Sequence, residues 1–268
     1  MKYLRPLSLF GPILISRALI AVTPPPHPII MKTFETRNLR KVELSIQEGE
    51  VQIQGDATTD KAIVTVTKGD GFSPACKLTV DTVGKTLRVL IEKTPHSGAI
   101  KCDAQIQVKL PRDVELDLQA GAGSISVLGT RGAITYNLGA GDVKLDAEIS
   151  KLKGFAGSAT VEAKGLTGSA QITGGAVTLT ATYLTVPPTG TMDIKIGSGT
   201  STIYLPAGSI LAPPKLEAGV GKLTHETGVA GTGVGKLTNE APTALGAYLI
   251  SMEVGTGDLV IRTLPQKK

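Results

Sequence analysis

Residues 121–145 read GAGSISVLGTRGAITYNLGAGDVKL. Gly123 opens GSISV, Gly132 opens GAITY and Gly141 opens GDVKL, so a glycine followed by alternating apolar positions recurs every nine residues. Strict alternation is the signature of a strand with one buried face. Ile125 and Val127 should point inward with Ser124 and Ser126 outward. Val143, Leu145 and Ala147 should point inward with Asp142, Lys144 and Asp146 outward. The recurring glycine marks a corner, where the backbone needs a positive φ or a close approach.

The same unit continues downstream. GSATV starts at Gly157 and GAVTL at Gly175, where Val177, Leu179 and Ala181 alternate with Thr178, Thr180 and Thr182. Weaker copies are GTSTI at Gly199, GKLTH at Gly221, GKLTN at Gly235 and GDLVI at Gly257. The intervals along this series are 18, 16, 18, 24, 22, 14 and 22, with a second series at Gly132 and Gly168 between the first copies. A coil of 18 residues with two short strands accounts for both. One such coil cannot bury its apolar side, so coils must stack and the terminal ones must be capped. The expected fold is all-β: a single-chain β-solenoid (β-helix or β-roll) with coils of about 18–22 residues.

Glycine divides the chain. Of 32 glycines, 25 fall after residue 114, beyond the turn cluster Pro111-Arg112-Asp113. Residues 115–268 are therefore read as the glycine-rich repeats. Residues 31–114 are read as an N-terminal β module and cap, with strands at VELSI (42–46), EVQIQ (50–54), KAIVTVT (61–67), CKLTV (76–80), TLRVLIE (86–92) and CDAQIQVKL (102–110). Short connections there predict mostly antiparallel pairing. GEVQI at Gly49 carries the repeat pattern into this module.

Residues 1–22, MKYLRPLSLFGPILISRALIAV, follow the order of a secretory leader, a basic start and then an apolar run. Arg17, Pro6 and Pro12 interrupt it and no A-x-A cleavage site follows. Pro24, Pro25, Pro26 and Pro28 then form a stiff linker. Residues 1–30 are thus read as leader and linker. The alternative is a start at Met31 in a cytoplasmic chain. An apolar stretch divided by Arg17 is too short for the roughly 20 residues of a membrane span.

Composition narrows function. The net charge of +5 owes three units to Lys2, Arg5 and Arg17, and only 3% of residues are aromatic. Neither a clustered basic face nor stacking aromatics exist for nucleic acid. GAGSIS and GAGDVK lack the third glycine of a dinucleotide loop, and no helix follows them. Asp142 and Asp258 follow repeat glycines, but Ser158, Ala176, Thr200, Lys222 and Lys236 stand in the other copies, which is no calcium ladder. His27, His96 and His225 are scattered, with no HExxH or CxxC spacing. The reading contains no catalytic residue, cofactor or metal ligand, and the chain is taken as not an enzyme.

Cys76 aligns with Leu78 and Val80, and Cys102 with Ala104, Ile106 and Val108, so both point inward in one module. An exported chain would join them as a disulfide. A cytoplasmic chain would keep two buried thiols.

The Leu-Pro turn in VKLPRDVELDLQ (108–119), followed by GAGSISVLG and LGAGDVKLDA, resembles bacterial adhesin-like domains of unknown function, of the β-solenoid, head-domain type. The resemblance covers about residues 33–264 and is sharpest over 104–182. It implies an exported cell-envelope protein, periplasmic or secreted, with an adhesin-like binding or structural role and no catalytic residues. An envelope, protein or glycan ligand is the expected partner, with self-association possible in principle and no nucleic acid. The alternatives are a self-assembling, bactofilin-like filament protein and, further off, a carbohydrate-active β-helix enzyme.

Overall fold

The computed structural model describes residues 29–36, 39–70, 72–94, 100–209, 214–225, 229–232, 235–238 and 248–264. Residues 1–28 of the segment expected as leader and linker (1–30) lie outside them, whereas Ile29 and Ile30 belong to the first strand. No helix occurs among the described residues, and none is long and apolar enough to cross a membrane. The strands form one mixed sheet of 13. They are β1 (Ile29–Glu35), β2 (Lys41–Asp56), β3 (Lys61–Lys68), β4 (Cys76–Val83), β5 (Thr86–Lys93), β6 (Asp103–Pro111), β7 (Glu115–Tyr183), β8 (Gly190–Leu205), β9 (Lys215–Val220), β10 (Lys222–His225), β11 (Val229–Thr232), β12 (Gly235–Thr238) and β13 (Tyr248–Thr263).

β7 is 69 residues long because extended backbone persists through its glycine corners. The 18-residue offset recurs down its length. Asp113 bridges Arg131, and the Thr167 hydroxyl donates to the Ile149 carbonyl. The Gly139 and Gly157 carbonyls lie over their counterparts, Gly157 and Gly175.

Pairing sorts the strands into two ladders joined at the corners. In the first, wall A, the run is β4, β5, the first half of β2, four successive rows of β7, then the first halves of β8 and β13, β9 and β12. In the second, wall B, it is β1, β3, β6, the second half of β2, further rows of β7, the second halves of β8 and β13, β10 and β11. Apolar side chains of both walls share one core, from Val42 to Ile261. Among the described residues the sheet is not closed, and its outer strands pair on one side only.

Inside and outside follow the alternation. Ile125, Val127, Val143, Leu145, Val177, Leu179 and Ala181 are buried, while Asp142, Lys144, Asp146 and Thr178 are exposed. The corner requirement is strict at Gly141, whose φ is 131° and where a Cβ would lie 1.8 Å from the Gly123 carbonyl oxygen. Gly123 stands in the same relation to Gly49. The second glycine series forms the opposite corner, with Gly132 against the Val114 carbonyl and Gly168 against that of Ser150.

Three sequence expectations need correction. First, pairing in the N-terminal module is mixed. β1, β3, β4, β5 and β6 include antiparallel partners, but β2 runs parallel to β5, β6 and β7. VELSI and EVQIQ are not two arms of a hairpin. They are one strand bent at Gly49 (φ 132°), and they carry the apolar pattern of both walls.

Second, Gly157 stacks on Gly139, not on the Gly141 row. Val177 pairs with Gly199, so the row through Gly123 and Gly141 passes position 177 before reaching Gly199. The irregular interval of 16 disappears, and the later offset is 22 because residues 184–189 are inserted before β8. Third, stacking order departs from chain order. Gly257 pairs with Gly199, and Gly221 lies beyond Gly257. β13 carries apolar residues for both walls over 16 residues, whereas β9 and β10 are short. A full-length strand buries more apolar area against β8, which places the short strands at the edge.

Candidate binding face

The outer surface of wall A is built by register. Glu43 pairs with Asp117, and three steps of the 18-residue offset lead through Thr135 and Lys153 to Gln171. Gln171 pairs with Asp193, Asp193 with Ser251, and Ser251 with Lys215. A parallel column runs Ser45, Gln119, Asn137, Phe155, Thr173, Lys195, Glu253 and Glu217. Between them the buried column includes Leu44, Leu118, Tyr136, Ile172, Ile194, Met252 and Leu216.

Two hollows open on this surface. The first, of about 400 Å³, is lined by Asp117, Gln119, Thr135, Tyr136, Asn137, Lys153, Gly154, Phe155, Gln171 and Thr173. Its floor depends on Gly154, an inward position without a side chain. The Tyr136 ring fills the room beneath; a Cβ on Gly154 would come 2.3 Å from its Cζ and Oη. Burial pushes the Tyr136 phenol well above its ordinary pKa, and its Oη has no hydrogen-bond partner among the described residues. The second hollow, of about 340 Å³, is lined by Thr191, Met192, Asp193, Lys195, Lys215, Glu217, Leu249, Ser251, Met252 and Glu253.

Charge on this face is balanced. Lys41 Nζ donates to Glu43 Oε1 at 2.8 Å and Asp117 Oδ2 at 3.0 Å. These bonds, Glu43 first, raise the Lys41 pKa. Lys215 lies 3.3 Å from Glu217. Lys153, Asp193, Lys195 and Glu253 make no ion pair among the described residues. Phe155 stands 50% exposed in the middle of the first hollow, an unusual position for one of four phenylalanines in the chain. The outer surface of wall B carries an ion pair of its own. Lys164 pairs with Glu162 and holds that carboxyl below its usual range, with Lys144 adding to the effect.

The sequence-derived candidates lie elsewhere. Cys76 and Cys102 are joined by a disulfide, which ties β4 of wall A to the residue preceding β6 of wall B at the N-terminal end of the stack. Asp142 is exposed, and the Asp258 carboxylate accepts the Lys222 backbone N–H at 2.9 Å. His27, His96 and the side chain of His225 lie outside the described residues. Among the described residues no group of three or more His, Cys, Asp or Glu could hold a metal ion. The sequence reading missed the wall A face altogether. Writing the chain in rows of 18 would have aligned Asp117, Thr135, Lys153 and Gln171, but the later offset of 22 and the displaced β13 hide the remainder.

No family model matches the chain, and no curated protein matches it. Solved structures similar to it include a "putative cell adhesion protein" from Clostridium sporogenes, at 16% identity and TM-score 0.38, covering 89% of this chain and 100% of that one. A "putative adhesin" from Bacteroides fragilis is 12% identical with TM-score 0.40, covering 88% of this chain and 97% of that one. A "putative lipid binding protein" from Parabacteroides distasonis is 11% identical with TM-score 0.38, covering 88% and 97% respectively. At these scores the likenesses bear on neither ligand nor activity.

Proposed function

We propose that this chain is an exported bacterial cell-envelope protein, a capped β-solenoid without catalytic activity that presents an adhesin-like binding surface. The observation that carries this reading is the pair of contiguous hollows on wall A. They sit on a rigid ladder whose backbone groups are already paired, and they combine an exposed aromatic ring with convergent polar side chains. Large, partly apolar depressions with a few fixed polar groups are the usual form of a ligand site. Export is supported by the leader-like N-terminus and by the Cys76–Cys102 bridge, which suits an oxidising compartment.

The end strands argue for a single capped unit over a growing filament. β1 and β4 run antiparallel to their neighbours, and so do β11 and β12, so neither end continues the parallel register of the walls. The test is localisation with the mature N-terminus sequenced, followed by binding of the purified protein to envelope fractions. A processed, envelope-associated protein is expected. A cytoplasmic protein starting at Met31, or one that leaves envelope fractions unbound, overturns the reading.

A further inference from the structure

We infer that the two hollows on wall A form one channel that binds a linear, uncharged glycan along the stacking axis. This rests on the exported-binding reading above and specifies its ligand. Continuity comes from register: Gln171, at the end of the first hollow, is the paired neighbour of Asp193, at the start of the second. From Asp117 to the last row the channel crosses seven rows, four of them in β7. At a spacing of about 4.8 Å it runs roughly 30 Å, the length of an extended polymer and far beyond one small molecule.

Chemistry selects the polymer. A peptide recognised as an added strand needs an unpaired sheet edge. Here the floor strands are hydrogen-bonded on both sides, so only side chains can recognise the ligand. A polyanion such as a nucleic acid or a sulfated glycan needs an unbroken positive path, and here Lys153, Lys195 and Lys215 alternate with the carboxylates of Asp117, Asp193, Glu217 and Glu253. A lipid would need a continuous apolar surface, and here Asn137, Lys153, Gln171, Asp193 and Lys195 interrupt the apolar part of the lining.

A neutral glycan fits each feature. Asn137 and Gln171 offer donor and acceptor on one planar group, and Asp193 offers two acceptor oxygens, which suit adjacent hydroxyls. Phe155 offers an apolar ring face to the C–H face of a sugar. Strand spacing of about 4.8 Å repeats these groups at nearly the period of a pyranose chain.

The test is titration of the full-length protein, by calorimetry, with neutral linear hexasaccharides of glucose, mannose, galactose and N-acetylglucosamine. A heparin hexasaccharide and an extended decapeptide serve as contrasts. At least one neutral hexasaccharide should bind saturably, more tightly than its disaccharide. Phe155→Ala and Gln171→Ala, both exposed positions, should each weaken it about tenfold without changing the melting temperature, while Thr180→Ala on wall B leaves it unchanged. Absence of saturable binding by every neutral hexasaccharide overturns the inference, as does preference for heparin or the peptide, or indifference to both wall A variants. Envelope binding that survives Phe155→Ala and Gln171→Ala overturns the channel while leaving the broader function intact. Loss of localisation or of wild-type envelope binding overturns the broader function.

Discussion

The phenolic oxygens of Tyr183 and Tyr248 lie 2.7 Å apart, although 65 residues separate them in the chain, and their rings meet edge to face. Tyr248 Oη also donates to the Gly168 carbonyl at 3.0 Å. A phenol has one hydrogen, so Tyr183 must be the donor to Tyr248. The pair pins the start of β13 to the corner of β7 and helps set the order in which strands stack.

That proton order makes the two tyrosines unequal. Tyr248→Phe leaves the buried Tyr183 hydroxyl and the Gly168 carbonyl both without their partner, whereas Tyr183→Phe removes one bond and leaves Tyr248 bonded to Gly168. Urea unfolding should show a loss of about 2–3 kcal/mol for Tyr248→Phe and about 1 kcal/mol for Tyr183→Phe. Equal losses would refute the donor assignment.

Alkaline pH should unfold the protein abruptly. Burial raises the phenol pKa of Tyr136, Tyr183 and Tyr248, with Tyr248 adding to the shift at Tyr183. In the unfolded chain each titrates near pH 10. Below that value both states are protonated and stability is unaffected. Above it the unfolded state releases protons that the folded state keeps, so stability falls as pH rises. Phenolate absorbance should appear together with loss of the strand signal; titration of all three tyrosines in the folded protein would contradict this.

Glycine replacement separates conformational from spatial demand. Gly141→Ala places a Cβ against the Gly123 carbonyl at a φ of 131°, and should cost roughly 3 kcal/mol or prevent folding. Gly84 (φ 61°) lies in the β4–β5 turn with nothing within 4 Å of a Cβ, so Gly84→Ala should cost only about 1 kcal/mol. Comparable denaturation midpoints for the two variants would argue against the stacked corner.

Ser201 sits in the buried row between Leu179 and Leu259, and its hydroxyl has no hydrogen-bond partner among the described residues. Ser201→Ala removes a buried polar group without opening a large void, and should raise stability by about 1 kcal/mol. A loss of stability on the same measurement would mean the hydroxyl is satisfied in solution.

The Cys76–Cys102 bridge closes a loop with a sequence separation of 26 at the capped end. Replacing both cysteines by alanine, or adding reductant, should lower stability by about 3 kcal/mol. Thiol titration of the unreduced, denatured protein should find no free thiol; two would contradict the bridge.

Much of the local architecture was legible in the sequence, for a physical reason. Alternation has a period of two, so Val143, Leu145 and Ala147 declare their buried face without reference to any distant residue. Glycines nine apart likewise announce two corners per 18 residues. The candidate face on wall A was not legible, because its columns mix amides, hydroxyls and charges with no repeating identity. Asp117, Asn137 and Phe155 become neighbours only once the rows are stacked.

The sequence by itself determined an all-β chain, its inward and outward faces and its corner positions, all consequences of local backbone geometry. Tertiary structure alone decided which strands run parallel to β2, and that β13 docks on β8 ahead of β9 and β10. The segments at Gly199, Gly221 and Gly257 carry the same glycine-apolar signature, so local pattern cannot rank them as partners. Their order is set by buried area and by the fit of distant side chains, such as Tyr183 against Tyr248, which exist only in the assembled core.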